Sequence, residues 1–361
     1  MKANYLLYKL FNTHPSEFKD RIKSGYKHYI LSYPTTIILQ TVAACNLPCR
    51  HCFINNYGLE IPDGQKNIMK PEDFRNMLGR IEKVVRTADF MMFSSFEALL
   101  NKHLFEMMDA VLEINPAIKF PFLSNSMLMT EQVIDELKAR PVTEINISVD
   151  GLRKETVEKF KTGVDYDHIL LTLKRLKDHG LISKVAVTFV AHQDNIWELP
   201  AYADFMNSLG VKKIYANNLM SFTGLYEGKY LYRKDGNAEV ASIFRETIQR
   251  VRKNKQQIYL PGLRPKESGC TQPETLFINY NGDVAPCDYL AVSTPFEYFG
   301  SRKTSKPVIF GNVFKEDVLD IYRSVRAHSF RRMHRSNKLP EACDHCIDGY
   351  GLMCSRRKLY K

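Results

Sequence analysis

Three cysteines, Cys45, Cys49 and Cys52, fall within eight residues of the stretch CNLPCRHCF, spaced by three residues and then by two. A disulfide framework wants an even number of thiols, and a tetrahedral structural zinc wants four ligands. Three thiolates suit a cubane iron–sulfur cluster, which takes cysteine as its usual ligand, with one iron left open for an exchangeable group. His51 is the alternative fourth ligand for a zinc site. It adjoins Cys52, however, and neighbouring side chains rarely converge on one ion. Zinc stands as the lesser reading on spacing.

The other five of the eight cysteines (Cys270, Cys287, Cys343, Cys346 and Cys354) lie beyond residue 269, with none between Cys52 and Cys270. That distribution predicts two separate metal sites. The first twenty residues lack an apolar core and a small-residue cleavage site, so a signal peptide is not expected and the compartment reads as cytoplasmic. Reducing conditions there turn clustered thiols toward metal or redox chemistry. No apolar run is long enough to span a bilayer. With 44% hydrophobic and 25% charged residues in 361, the chain reads as a soluble globular enzyme of one large and one smaller domain. Its net charge of +11 fits a solvated helix face, an acidic peptide, an acidic electron donor or a nucleic acid, and charge alone does not choose.

The elements that must position these residues follow from periodicity. Strand-like runs TTIILQTVAA, DFMMFSS, KFPFLSN, EINISVDG, KVAVTFVAH and KKIYANNL alternate with helical segments from about residue 35 to 220. Pro71 opens a helix carrying Phe74, Met77, Leu78, Ile81 and Val85. A second carries Leu104, Met107, Met108 and Val111, and Thr130 caps a third with Val133 and Leu137. Ile169, Leu173 and Leu176 mark a fourth, stopped at Gly180, and a fifth stops at Gly210. Six strands alternating with five helices predict an α/β fold with a parallel sheet and right-handed crossovers. In such folds chemistry gathers at the C-terminal strand ends, where Cys45, Glu97, Asn125 and Asp150 follow strands one to four. Residues 221–260 read as a bridging loop and helix, and TLFINYNGDVAPC as a strand–Asn-Gly–strand hairpin. A basic helix near 317–333 precedes the last thiols, and the lone Trp197 is expected in the core.

With these residues in view, the chain resembles the radical S-adenosylmethionine (SAM) enzymes. Cys45-x3-Cys49-x2-Cys52 after a first strand matches their signature. The resemblance implies a partial (β/α)6 barrel and a 4Fe–4S cluster whose open iron is chelated by the methionyl amine and carboxylate of SAM. One-electron reduction then yields a 5′-deoxyadenosyl radical that abstracts hydrogen from the substrate. It implies further cofactor-binding positions. His51 takes the place of an aromatic residue packed near the adenine. Ser94, Ser95 and Glu97, in SSFEA, stand where the family has Gly-Gly-Glu-Pro, with the acid toward the methionyl amine. Ser124-Asn125-Ser126 resembles a Thr-Asn-Gly, and Ser148-Val149-Asp150-Gly151 the stretch near the ribose. Lys161-Thr162-Gly163 resembles an Arg-x-Gly meeting the SAM carboxylate, with a point charge in place of a fork. Asn217, on strand six, joins this set.

Cys270-x11-Gly282-x4-Cys287 and Cys343-x2-Cys346 resemble the SPASM/twitch extensions of the same family. A full SPASM set has seven cysteines and this chain has five, which implies one auxiliary 4Fe–4S cluster on Cys270, Cys287, Cys343 and Cys346. Cys354 is left over as a competing ligand, a hydrogen donor or a small buried hydrophobe. Structural zinc is the alternative for these thiols. Asp288 and Tyr289 are expected between the clusters, as a proton acceptor. The implied domains are an N-terminal helical extension (1–34), the barrel (35–220), the bridge (221–260) and the auxiliary-cluster domain (261–361). Relatives with such extensions mostly oxidise, crosslink or epimerise peptides or proteins, although the first 34 residues are short for a peptide-recognition domain. The alternative substrate is a small molecule such as an aminocyclitol, a nucleoside or another natural-product intermediate. The expected electron donor is an acidic flavodoxin or ferredoxin. A zinc-stabilised nucleic-acid-binding module is a third reading, disfavoured because the basic helix offers few aromatics (Tyr322, Phe330) for stacking.

Overall fold

The computed structural model describes residues 32–53, 68–93, 96–222 and 225–353, and the backbone of 359–360. Six parallel strands follow one another in chain order: β1 (Thr36–Leu39), β2 (Phe90–Met92), β3 (Phe120–Ser124), β4 (Val142–Ser148), β5 (Val185–Ala191) and β6 (Lys213–Asn218). β1 pairs with β2, and β3 through β6 pair in sequence, all in parallel. A parallel bridge at Phe90 and Lys119 joins β2 to β3, so the six strands form one partial barrel. Apolar side chains fill the layer between the strands and the outer helices, with Ile37, Leu39, Ile145, Ile147, Val187 and Phe189 fully buried and Phe189 against Tyr202.

The outer helices are α1 (Pro71–Val85), α2 (Leu104–Ile114), α3 (Glu131–Lys138), α4 (Lys154–Phe160), α5 (Tyr166–Asp178) and α6 (Leu199–Ser208). Five of them match the periodic segments. Pro71 sits in the first turn of α1, where its missing N–H costs no hydrogen bond. The Thr130 hydroxyl accepts from the Val133 N–H at 3.2 Å, and Gly180 and Gly210 follow α5 and α6 with φ of +77° and +96°. The seven-residue α4 lies outside the five expected helices, because its buried side is only Val157 and Phe160. Trp197 is 57% exposed rather than core. It stands on a short turn whose inward positions are taken by Ile196 and Glu198.

The segment 221–260 does more than bridge. After α7 (Ala238–Lys253) it contributes β7 (Gln257–Tyr259), which pairs in parallel with β6. The hairpin is β8 (Leu276–Ile278) and β9 (Asp283–Ala285), and β8 pairs in parallel with β1. Its loop is longer than the two-residue Asn-Gly turn. The Asn279 C=O accepts from the Gly282 N–H, and Gly282 adopts φ +83°, giving a three-residue loop with a glycine bulge. Beyond it come a second hairpin of β10 (Thr294–Tyr298) and β11 (Ser301–Ser305), then β12 (Gly311–Asn312) on β9. β13 (Leu359–Tyr360) pairs antiparallel with β7.

The expected basic helix is two helices, α8 (Val318–Arg323) and α9 (Val325–Arg335), parted at Ser324, whose hydroxyl caps α9. It is only partly a solvated face: Arg331 is buried, with its guanidinium 4.0 Å from the Tyr322 ring centre. Among the described residues no helix is long and apolar enough to cross a membrane. Residues 1–31 of the expected N-terminal extension, with Ser94, Ser95 and Cys354, lie outside the described residues.

Candidate active site

The chain leaves β1 into the three-cysteine loop. The Cys52 N–H donates to the Cys49 C=O at 3.1 Å, turning the backbone so that the thiols stand on one loop. Burial pushes the Cys49 thiol up to about 12, reinforced by the neighbouring Cys52 and Cys45 and opposed by Lys161. Asn125, just past β3, places its Nδ2 3.5 Å from Cys45 Sγ and 2.7 Å from Asn46 Oδ1. Strand end three is thereby tied to the loop.

Glu97 is 1% exposed, and its carboxylate accepts from the Ser124 hydroxyl at 3.1 Å, the Asn125 N–H at 2.8 Å and the Leu99 N–H at 3.3 Å. Desolvation nevertheless raises its pKa. Asp150, past β4, is fully buried. Its Oδ1 accepts from the Val190 N–H at 2.7 Å, while Oδ2 lies 3.3 Å from Lys161 Nζ and has no hydrogen-bond partner. Lys161 also donates to the Ser148 C=O at 3.1 Å. The lysine therefore faces a carboxylate of its own chain, on the strand end where the sequence had put Ser148 and Asp150.

His51 presents a π-face, its ring stacked on Phe160 at 4.0 Å and 6°. Burial lowers its pKa to about 4, so the imidazole is neutral near pH 7, and its Nδ1 is buried without a hydrogen-bond partner. His192 stacks on the other side of Phe160 at 4.3 Å, a neighbour the sequence did not signal. Asn195 was likewise missed: its Nδ2 donates to the Asp150 and Val190 carbonyls and holds the β5 end against the β4 end. Asn217 lies on β6 beside Val190, at the same rim.

The second thiol set is brought together from three places. Cys270 precedes β8, Cys287 follows β9, and Cys343 and Cys346 follow α9. All four line one apolar-walled cavity, together with His334 and Asp348. Cys270 Sγ donates to Asp348 Oδ2 at 2.9 Å, and burial raises the pKa of that carboxyl. Among the described residues no three His, Cys, Asp or Glu side chains are gathered tightly enough to chelate a single ion. Four thiols around a shared cavity are a donor set for a body of several atoms, which fits a cubane cluster better than one tetrahedral ion.

An aromatic layer separates the two sets. Phe53, next to Cys52, meets Tyr289 at 4.8 Å, Phe96 at 5.2 Å and Phe222 at 5.7 Å. Tyr289 follows Cys287 by two residues and is half-buried, and desolvation of its hydroxyl raises its pKa far above the usual value. Asp288 accepts from the Tyr289 N–H at 3.0 Å and so caps its own turn. Asn218, at the end of β6, donates to the Gly262 and Leu352 carbonyls at 2.8 and 2.7 Å, pinning the second thiol region to the barrel.

A partial α/β barrel with three thiols at the mouth and four more behind an aromatic layer defines an iron–sulfur enzyme. Residues 39–206 match the family model of the radical SAM superfamily, and residues 270–347 match that of the SPASM iron–sulfur cluster-binding domain. The chain thus carries a radical SAM domain and a SPASM domain, which bring SAM, a 4Fe–4S cluster and auxiliary iron–sulfur binding.

The chain is 26% identical over 317 residues to the tungsten-containing aldehyde ferredoxin oxidoreductase cofactor-modifying protein of Pyrococcus furiosus, covering 85% of this chain and 86% of that one. It is 20% identical to the AdoMet-dependent heme synthase of Methanosarcina barkeri, covering 87% and 88%. Among solved structures, Streptococcus suis SuiB bound to S-adenosylmethionine superposes with a TM-score of 0.64 at 17% identity, over 97% of this chain and 82% of that one. AdoMet-bound anSMEcpe gives 0.63 at 16% identity, over 90% and 86%. These two share the fold.

Proposed function

We propose that this enzyme oxidises, crosslinks or epimerises a peptide or protein substrate by abstracting one of its hydrogens. When bound, SAM and the reduced cluster supply the abstracting radical. In this reading Cys45, Cys49 and Cys52 hold that cluster, and His51, Glu97, Asn125, Ser148, Asp150, Lys161 and Asn217 surround the SAM. Cys270, Cys287, Cys343 and Cys346 hold one auxiliary cluster. The domain limits are residues 35–220 for the barrel and 261–361 for the auxiliary region. The chain's own residues bind and orient. Glu97 offers a carboxylate prearranged by three hydrogen bonds, and the neutral His51 ring offers an apolar face to a base. The layer of Phe53, Phe96, Phe222 and Tyr289 keeps water from the space between the thiol sets.

The observation that carries the reading is this layer: a substrate seated over the barrel mouth lies between two sets of cluster ligands. Fold neighbours support a peptide there, since SuiB is solved with its precursor peptide SuiA and anSMEcpe with the Cp18Cys peptide. A second reading, a small-molecule or cofactor substrate, is favoured by the curated relatives named for cofactor modification and heme synthesis. An acidic flavodoxin or ferredoxin as electron donor suits the net charge of +11.

The test begins with iron, sulfide and zinc counts in the anaerobically reconstituted protein and its Cys45/Cys49/Cys52→Ala variant. About eight irons falling to about four is expected for two cubane clusters. Zinc without iron in both proteins rejects the assignment. Mass spectrometry then follows SAM cleavage with a short peptide encoded beside the gene. A mass change of the peptide supports the first reading, and cleavage stimulated only by a small molecule overturns it.

A further inference from the structure

His334, on α9, stands in the wall of the four-thiol cavity and touches two of its cysteines. It is 4% exposed. The Cys270 backbone N–H donates to its Nδ1 at 3.0 Å. A ring nitrogen that accepts a hydrogen bond carries no proton, so the proton of the neutral imidazole is on Nε2. Nε2 lies 3.7 Å from Cys343 Sγ, within reach of an N–H···S hydrogen bond. The approach of the Cys270 turn is itself built in. Gly269 has φ +66°, and a Cβ there would lie 2.1 Å from the His334 carbonyl oxygen. Phe330, one turn earlier on α9, holds the ring from the side at 5.2 Å.

We propose that His334 is a positioning residue that sets the reduction potential of the auxiliary cluster by donating its Nε2–H to the Cys343 sulfur. The proposal rests on the assignment of the four thiols to that cluster. A sulfur that receives an N–H bond passes less negative charge to its iron, so the reduced, more negative member of the one-electron couple gains most. The potential is therefore higher than an apolar neighbour would allow. Because a backbone amide of one ligand turn fixes the tautomer, the donor to the other ligand is locked in place.

The test is a potentiometric titration of the auxiliary cluster, followed by electron paramagnetic resonance, in the full-length Cys45/Cys49/Cys52→Ala protein. His334, His334→Leu and His334→Gln are compared at measured iron content. At unchanged iron, the Leu variant is expected at a more negative potential. The Gln variant, whose amide can reach the same sulfur, should return toward the His334 value. An unchanged potential in the Leu variant, or iron lost from both variants, overturns the proposal. Independently of any variant, electron–nuclear double resonance of the His334 protein in D2O should show an exchangeable deuteron coupled to the cluster, and its absence overturns the proposal. A parent protein without iron rejects the ligand assignment instead, which separates the two failures.

Discussion

At the scale of single residues, the buried pair of Asp150 and Lys161 is the sharpest electrostatic commitment near the candidate SAM site. Their side chains are 0% and 6% exposed at a separation of 3.3 Å. Removing one partner strands the other in a low-dielectric site, which typically costs about 3–5 kcal/mol, whereas removing both charges is far milder. Lys161→Met is therefore expected to destabilise the apoprotein by about that amount in urea denaturation. Adding Asp150→Asn, which keeps an acceptor for the Val190 N–H, should restore most of the loss. The sequence made Lys161 and Asp150 visible through their motifs but could not show that they face each other, since ten residues, a helix among them, lie between. Asn195, His192 and His334 left no mark at all. A single buried polar residue has no periodicity, and its role exists only in the partners the fold brings to it.

At the scale of elements, the motif glycine gains a physical reason. Gly282 is the bulge residue of the β8–β9 loop, with φ +83°, and a Cβ there would fall 2.6 Å from the Phe314 ring. Gly282→Ala pays both the left-handed strain and the displacement of that ring, about 1–3 kcal/mol in all. The hairpin sets the distance between Cys270 and Cys287, so the variant should also hold less auxiliary iron after reconstitution, while the three-cysteine loop keeps its own. Barrel helices were legible where an apolar 3.6-residue period ran on, as in α1 and α2, or where Thr130, Gly180 or Gly210 marked an end. The short α4, with two, was not, and nothing in the basic run announced the break at Ser324. Strands β7 and β8 were missed as barrel strands because three-residue segments do not reveal which sheet they will join.

At the scale of the molecule, the barrel and the C-terminal region meet through the β1–β8 ladder, through Asn218 and through the aromatic layer. Asn218 alone gives both of its amide hydrogens to carbonyls of the later region. Asn218→Leu leaves the Gly262 and Leu352 carbonyls without these donors, at about 1–3 kcal/mol each. Lower stability of the whole chain to denaturant is expected, with the barrel and the auxiliary region separating into two transitions if Asn218 couples them. The two-region plan was legible from the cysteine distribution. That the later region reaches back to both rims of the barrel sheet was not.

That last feature bears on how the protein is made. β1, which carries the chain into the three-cysteine loop, has β8 as its outer neighbour, some 240 residues downstream. At elongation rates of about 5–20 residues per second, that strand leaves the ribosome roughly 12–50 s after β1. During this interval the first strand has one open edge and its thiols stand beside an unfinished wall. Iron delivered early would meet a loop that is still open on that side, and iron delivered late a finished one. The surroundings that iron meets at this loop are thus set by how far translation has gone.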